Sequence, residues 1–87
     1  MDNFYLFAIS VQDTRLLTGD EIGNVIYTIE KNEDLAKKKA LFVSYGEYQK
    51  KFIRVIKTEK IAIVENELSI YSSNVEELIK KHKAKIA

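Results

Sequence analysis

From Phe4 to Tyr71 the chain runs through short apolar segments, each set off by a few polar, charged or glycine residues. Phe4–Val11 comes first. Ile22–Ile29, Ala40–Tyr45, Phe52–Ile56, Ile61–Val64 and Leu68–Tyr71 follow. They are rich in Ile, Val, Tyr and Phe, which suit a pleated, half-buried surface. Alternation is clearest where Val25, Tyr27 and Ile29 share one side and Ile26, Thr28 and Glu30 the other. Leu41, Val43 and Tyr45 alternate in the same way against Phe42 and Ser44. The rhythm predicts a mostly-β fold, α+β at the margin. The expected architecture is a small antiparallel β-barrel of about six strands with a C-terminal α-helix, forming one domain over residues 1–87.

The segments between these runs read as connections. Gln12–Arg15 is polar and predicts a turn. Leu16 and Leu17 begin a second short strand that Thr18, Gly19 and Asp20 interrupt, with Gly19 suited to a turn. Gly23 lies inside a strand pattern and marks a bend that helps a sheet curl; the alternative is a loop glycine. Lys31–Lys39 reads two ways. Asn32 caps a short helix with Glu33 and Asp34 in its first turn and lysines in its last, an order that matches the helix dipole. Alternatively, Asn32, Glu33 and Asp34 form the tip of a long hairpin, and the strands on both sides favour this reading. Gly46–Glu47 predicts a turn, Gln49–Lys51 a solvated stretch and Thr58–Lys60 a connection. Ile61–Glu65 and Glu67–Tyr71 form a hairpin with Asn66 at the bend. Ser73 or Asn74 then caps a helix over about 74–86, with capping boxes to Glu76 or Glu77. Glu76–Lys80 and Glu77–Lys81 are i,i+4 pairs. Val75, Leu78, Ile79, His82 and Ile86 form its apolar stripe.

Composition narrows the class. At 46% hydrophobic and 31% charged residues, the chain is expected to fold rather than remain disordered. Its apolar runs fall far short of the roughly 20 residues that span a bilayer. No basic residues precede the first apolar run, as they would in a secretory signal. A cytoplasmic location is therefore expected. Without cysteine there are no thiolate ligands or disulfides, and a single histidine rules out a multi-histidine metal site. No cofactor or metal is expected. Lysine and isoleucine are abundant, a bias that suggests an AT-rich genome and is compatible with a thermophile. A net charge of +1 gives no support to a general polyanion-binding role.

Candidate chemistry is sparse. His82 has no Ser, Cys or Asp in a recognisable arrangement, and in a lysine-rich helix end it reads as a surface residue complementing the dipole. The carboxylates are scattered, and Gly19, Gly23 and Gly46 form no phosphate cradle. No catalytic residue is nominated. Two basic clusters stand out. Lys80, Lys81, Lys83 and Lys85 lie with His82, where anionic lipid is a minor alternative partner. Lys37, Lys38, Lys39, Lys50, Lys51 and Arg54 interleave with aromatics including Tyr48. The second set is a candidate nucleic-acid surface, working by phosphate neutralisation and base stacking. The strand Phe4–Val11 is apolar on both faces and needs cover from the barrel, the helix or another chain. Phe4, Tyr5, Phe7 and Ile9 are thus candidate partner-interface residues, and a homodimer is one form of it.

The order of elements resembles the PRC-barrel domains over roughly residues 8–72. The matching pieces are Gly19–Val25, Ala40–Gly46, Phe52–Val55 and Lys60–Ile70. The proline often found before the family's last strands is missing here. Phe4–Phe7 and the helix after Ser73 extend beyond the family unit. The resemblance implies a small barrel acting as a non-enzymatic adaptor, of the kind found in ribosome-maturation factors, photosynthetic reaction-centre subunits and archaeal cell-division proteins. No catalytic residue is carried over from it. The expectation is a protein-interaction module in archaeal cell division or assembly scaffolding. The alternatives are a nucleic-acid-binding barrel and a virus- or plasmid-encoded inhibitor of a host protein.

Overall fold

The computed structural model describes residues 4–15, 23–64 and 73–86. β1 (Phe4–Asp13) is the central strand of a three-stranded open sheet, flanked by β2 (Asn24–Glu30) and β3 (Ile53–Val64). Both neighbours run antiparallel to β1, so they are parallel to each other. Two parallel strands cannot be joined by a hairpin and need a long crossover. Helix α1 (Glu33–Gln49) is that crossover, followed by a 3₁₀ turn at Lys50–Phe52. Helix α2 (Ser73–Ile86) covers the opposite face. The described residues form an α/β/α layering of three strands and two helices, an open sheet rather than the closed barrel of about six strands.

β1 explains this layering. Phe7, Ile9 and Val11 point to one face and pack with Ala36, Ala40 and Ile53. Leu6 points to the other and packs with Val75, flanked by Leu78 and Ile79. Each large apolar side chain taken fully out of water contributes about 1.5–3 kcal/mol. A strand apolar on both faces therefore draws a layer onto each.

Four readings are corrected. Lys31–Lys39 is the start of α1 rather than a hairpin, and Ala40–Tyr45 is helix rather than strand. The Asn32 side chain accepts the Leu35 N–H at 2.9 Å, with Glu33 and Asp34 in the first turn. Fully buried Ala36 and Ala40, one turn apart, bring the helix close to the sheet. Ile53–Ile56 and Ile61–Val64 belong to one 12-residue strand, with Phe52 ending the 3₁₀ turn before it. The polar stretch Thr58–Lys60 continues that strand because bulges absorb the irregular pattern: pairing with β1 skips Ile56 and Ile61. His82 is buried rather than a surface residue.

Other readings hold. The Val25/Tyr27/Ile29 and Ile26/Thr28 alternation is seen, with Tyr27 and Ile29 toward α2 and Ile26 toward α1. Gly23, by contrast, falls just before β2 rather than at a bend within it, and donates its N–H to the Val11 carbonyl at 2.9 Å. The strand at Leu16 and Leu17, the Gly19 turn, the bend at Asn66 with its strand to Tyr71, and the Ser73 and Asn74 side chains lie outside the described residues.

Gly46 breaks α1 internally. Its φ of 72° and ψ of 178° are accessible almost only to glycine, and the helical turn resumes with the Lys50 N–H donating to the Gly46 carbonyl. A Cβ there would meet nothing within 4 Å, so any cost is in the backbone alone. Gly46→Ala is expected to lower stability by about 1–3 kcal/mol, read from urea unfolding midpoints.

Candidate interaction surface

The two sheet edges differ in kind. β3 carries two bulges and the charged residues Arg54, Lys57, Glu59 and Lys60. Bulges and charges are the devices that keep an edge from pairing with another chain. β2 has neither in its body. Its register with β1 runs unbroken from Glu30 to Asn24, and Glu30 is its one charged residue. Among the described residues no strand pairs with its outer side.

Beside this edge lies a groove of about 330 Å³ between β2 and α1, lined by Ile26, Thr28, Ile29, Lys39, Ala40 and Val43 among others. The Thr28 hydroxyl is buried there without a hydrogen-bond partner. Lys39 stands at this side of α1, 3.8 Å from a Glu30 carboxylate oxygen and 3.4 Å from the Ile29 carbonyl. Helical spacing puts Leu35, Lys39, Phe42 and Val43 on one side of α1. Leu35, Phe42 and Val43 are 43%, 59% and 73% exposed, a large apolar surface for a small chain.

A second constellation lies behind β2. The Tyr27 hydroxyl is 2.8 Å from His82 Nδ1, and His82 Nε2 is 2.6 Å from Glu59 Oε2. Glu59 Oε1 is also 3.2 Å from the Lys57 ammonium. An ionised carboxylate only accepts, so Nε2 carries the proton toward Glu59. In the neutral ring Nδ1 then accepts from the Tyr27 hydroxyl. Hydrogen bonds from Lys57 and then His82 hold the Glu59 carboxyl below the usual carboxylate range. Burial, with the Glu59 charge nearby, pushes the Tyr27 phenol up. These bonds run from β2 through α2 to β3, so the chain of groups clasps α2 onto the sheet.

The residues nominated from sequence are placed as follows. Phe7 and Ile9 are fully buried in the core under α1, and Tyr5 and Phe4 are partly buried. The cover that strand needs thus comes from α1 and α2. Lys37, Lys38 and Lys39 lie on the first half of α1, whereas Lys50, Lys51 and Arg54 lie beyond its end. Lys39 turns to Glu30 at the β2 edge. Tyr48 is exposed, but the Lys51 ammonium sits 4.8 Å from its ring centre and Phe52 meets it edge-on. The basic set is therefore split along the helix axis, and its aromatic face is already engaged.

Val43, Phe42, Leu35, Thr28 and the Tyr27–His82–Glu59 clasp were not nominated from sequence. His82 did fall on the apolar stripe of α2, which signalled burial; its partner Glu59 was hidden in a presumed connection. Among the described residues no cluster of three or more His, Cys, Asp or Glu side chains is placed to hold a metal, and no helix is long and apolar enough to cross a membrane.

The clasp sets an acid limb of stability. Because the Glu59 pKa is depressed in the folded state, its contribution is fully present above the ordinary carboxylate value of about 4.3 and is lost as pH falls through the lower folded value. Glu59→Gln is expected to flatten this limb in urea midpoints measured across the acid range. Tyr27→Phe leaves His82 Nδ1 buried without a partner and is expected to cost about 1–3 kcal/mol near neutral pH.

No family model, curated protein or solved structure matches the chain. The PRC-barrel resemblance therefore rests on its motifs alone, and one of them, Ala40–Gly46, lies on α1.

Proposed function

We propose that this chain is a non-enzymatic protein-interaction module that docks an extended partner segment along the outer edge of β2. The observation that carries the reading is the regular edge strand, with charge only at its end, beside the exposed apolar side of α1. An added strand supplies the backbone hydrogen bonds that the outer side of β2 offers, while its alternate side chains enter the groove over Ile26 and Thr28 and against Val43. Backbone pairing gives affinity in such docking, and the groove gives selectivity. The clasp behind Tyr27 fixes the strand from the opposite face.

The test is selection from a random peptide library against the full chain. Selected peptides are expected to bind with micromolar affinity, to shift the β2 amide resonances, and to weaken about tenfold or more on Val43→Lys or Phe42→Lys. Both positions are exposed, so circular dichroism should report an unchanged fold. Peptides that bind elsewhere, indifferent to both substitutions, would remove the reading.

A further inference from the structure

We infer that the segment β2 accepts is the β2 of a second copy, joining two sheets into one six-stranded sheet about a two-fold axis. This rests on the docking surface proposed above and names its occupant. A two-fold interface apposes the same patch from both copies, so it must be complementary to itself. β2 meets that condition. Paired antiparallel about Tyr27, Asn24 lies opposite Glu30 of the other copy, Val25 opposite Ile29 and Ile26 opposite Thr28. No like charges face each other, and β-branched residues meet across the seam.

The helix layer meets it as well. The two α1 helices lie on the same face of the joined sheet, with their Leu35, Phe42 and Val43 sides turned toward each other. Lys39 on that side is paired within its own chain with Glu30, and Lys38, three residues after Leu35 and four before Phe42, stands exposed at its margin. The three exposed apolar side chains of α1 thereby gain an apolar counterpart. The β3 edge offers no equivalent, with its bulges and its charges.

Area sets the expected strength. Seven residues of strand span roughly 24 Å. With the sheet and the helix layer each about 10 Å thick, the face amounts to on the order of 500 Å² per copy. That is the low end for specific pairs, so association in the micromolar range is expected.

The experiment has two arms on the full chain. Sedimentation velocity from about 1 to 300 µM is expected to show a concentration-dependent dimer that Phe42→Lys/Val43→Lys converts to monomer. In the second arm, Val25→Cys/Ile29→Cys is oxidised; the chain has no cysteine of its own. Within one strand these positions are about 13 Å apart and cannot bridge, whereas across the seam they are directly opposed. A disulfide-linked dimer is expected, and this readout stands even if the lysine variant fails to fold. A monomer at every concentration, or a dimer that survives the lysines and does not cross-link, overturns the inference. If that monomer still binds selected peptides at β2, only the second-copy occupant falls; if it binds none there, the docking surface falls too.

Discussion

Burial of β1 on both faces is the constraint on which the rest of this structure depends. Leu6, Phe7, Ile9 and Val11 are almost completely withdrawn from water, Leu6 into one core and Phe7, Ile9 and Val11 into the opposite one. A strand of this kind cannot lie at the surface of a two-layer sandwich. It must be central in the sheet and covered on each side. Placing β2 and β3 on its two flanks, both antiparallel to it, makes them parallel to each other and obliges the chain between them to cross over. α1 is therefore a consequence of strand order as much as of its own sequence. Ala36 and Ala40 let it approach closely enough to close one core, and Val75, Leu78 and Ile79 of α2 close the other.

This hierarchy explains which elements were legible. β1, β2 and α2 follow from local pattern: a doubly apolar run, a two-residue alternation, and a stripe at helical spacing behind capping residues. The start of α1 was legible as one of two readings, with Asn32 as cap and Glu33 and Asp34 in the first turn, but its body was not. Leu41 to Tyr45 satisfy a strand alternation by composition, while the helical signal lies in the i,i+4 spacing of Ala36 and Ala40, small residues that carry little weight in a hydrophobic pattern. The deciding fact was the parallel relation of β2 and β3, which is not local. β3 was split for the opposite reason. Thr58, Glu59 and Lys60 look like a connection, yet two of them are used where they stand, Glu59 on His82 and Lys60 over the Tyr5 ring at 4.0 Å. Two bulges then let a strand with irregular patterning keep pairing.

The same long-range dependence governs the proposed docking surface. Single residues on sequence advertised charge and aromatics at Lys37–Lys39 and Tyr48–Arg54, but the helix separates them, and Lys51 and Phe52 engage the Tyr48 ring. What the fold concentrates instead is the contrast between two edges. That contrast is visible only after the strand order is known, because an edge is a property of the sheet and not of the strand.

The clasp and the edge meet at one residue. Tyr27 is the midpoint of β2, and its hydroxyl is held through His82 to Glu59, so α2 and β3 restrain the strand from the face opposite α1. A strand that must receive another along its outer side loses less conformational freedom on docking if it is already fixed in register. Tyr27 therefore does two things with one side chain: it fills the core under α2, and it holds Ile26 and Thr28 in place on the groove side. On this view the buried histidine belongs to the interaction surface without touching it. Loosening the clasp should weaken docking at β2 even where the groove residues themselves are unchanged.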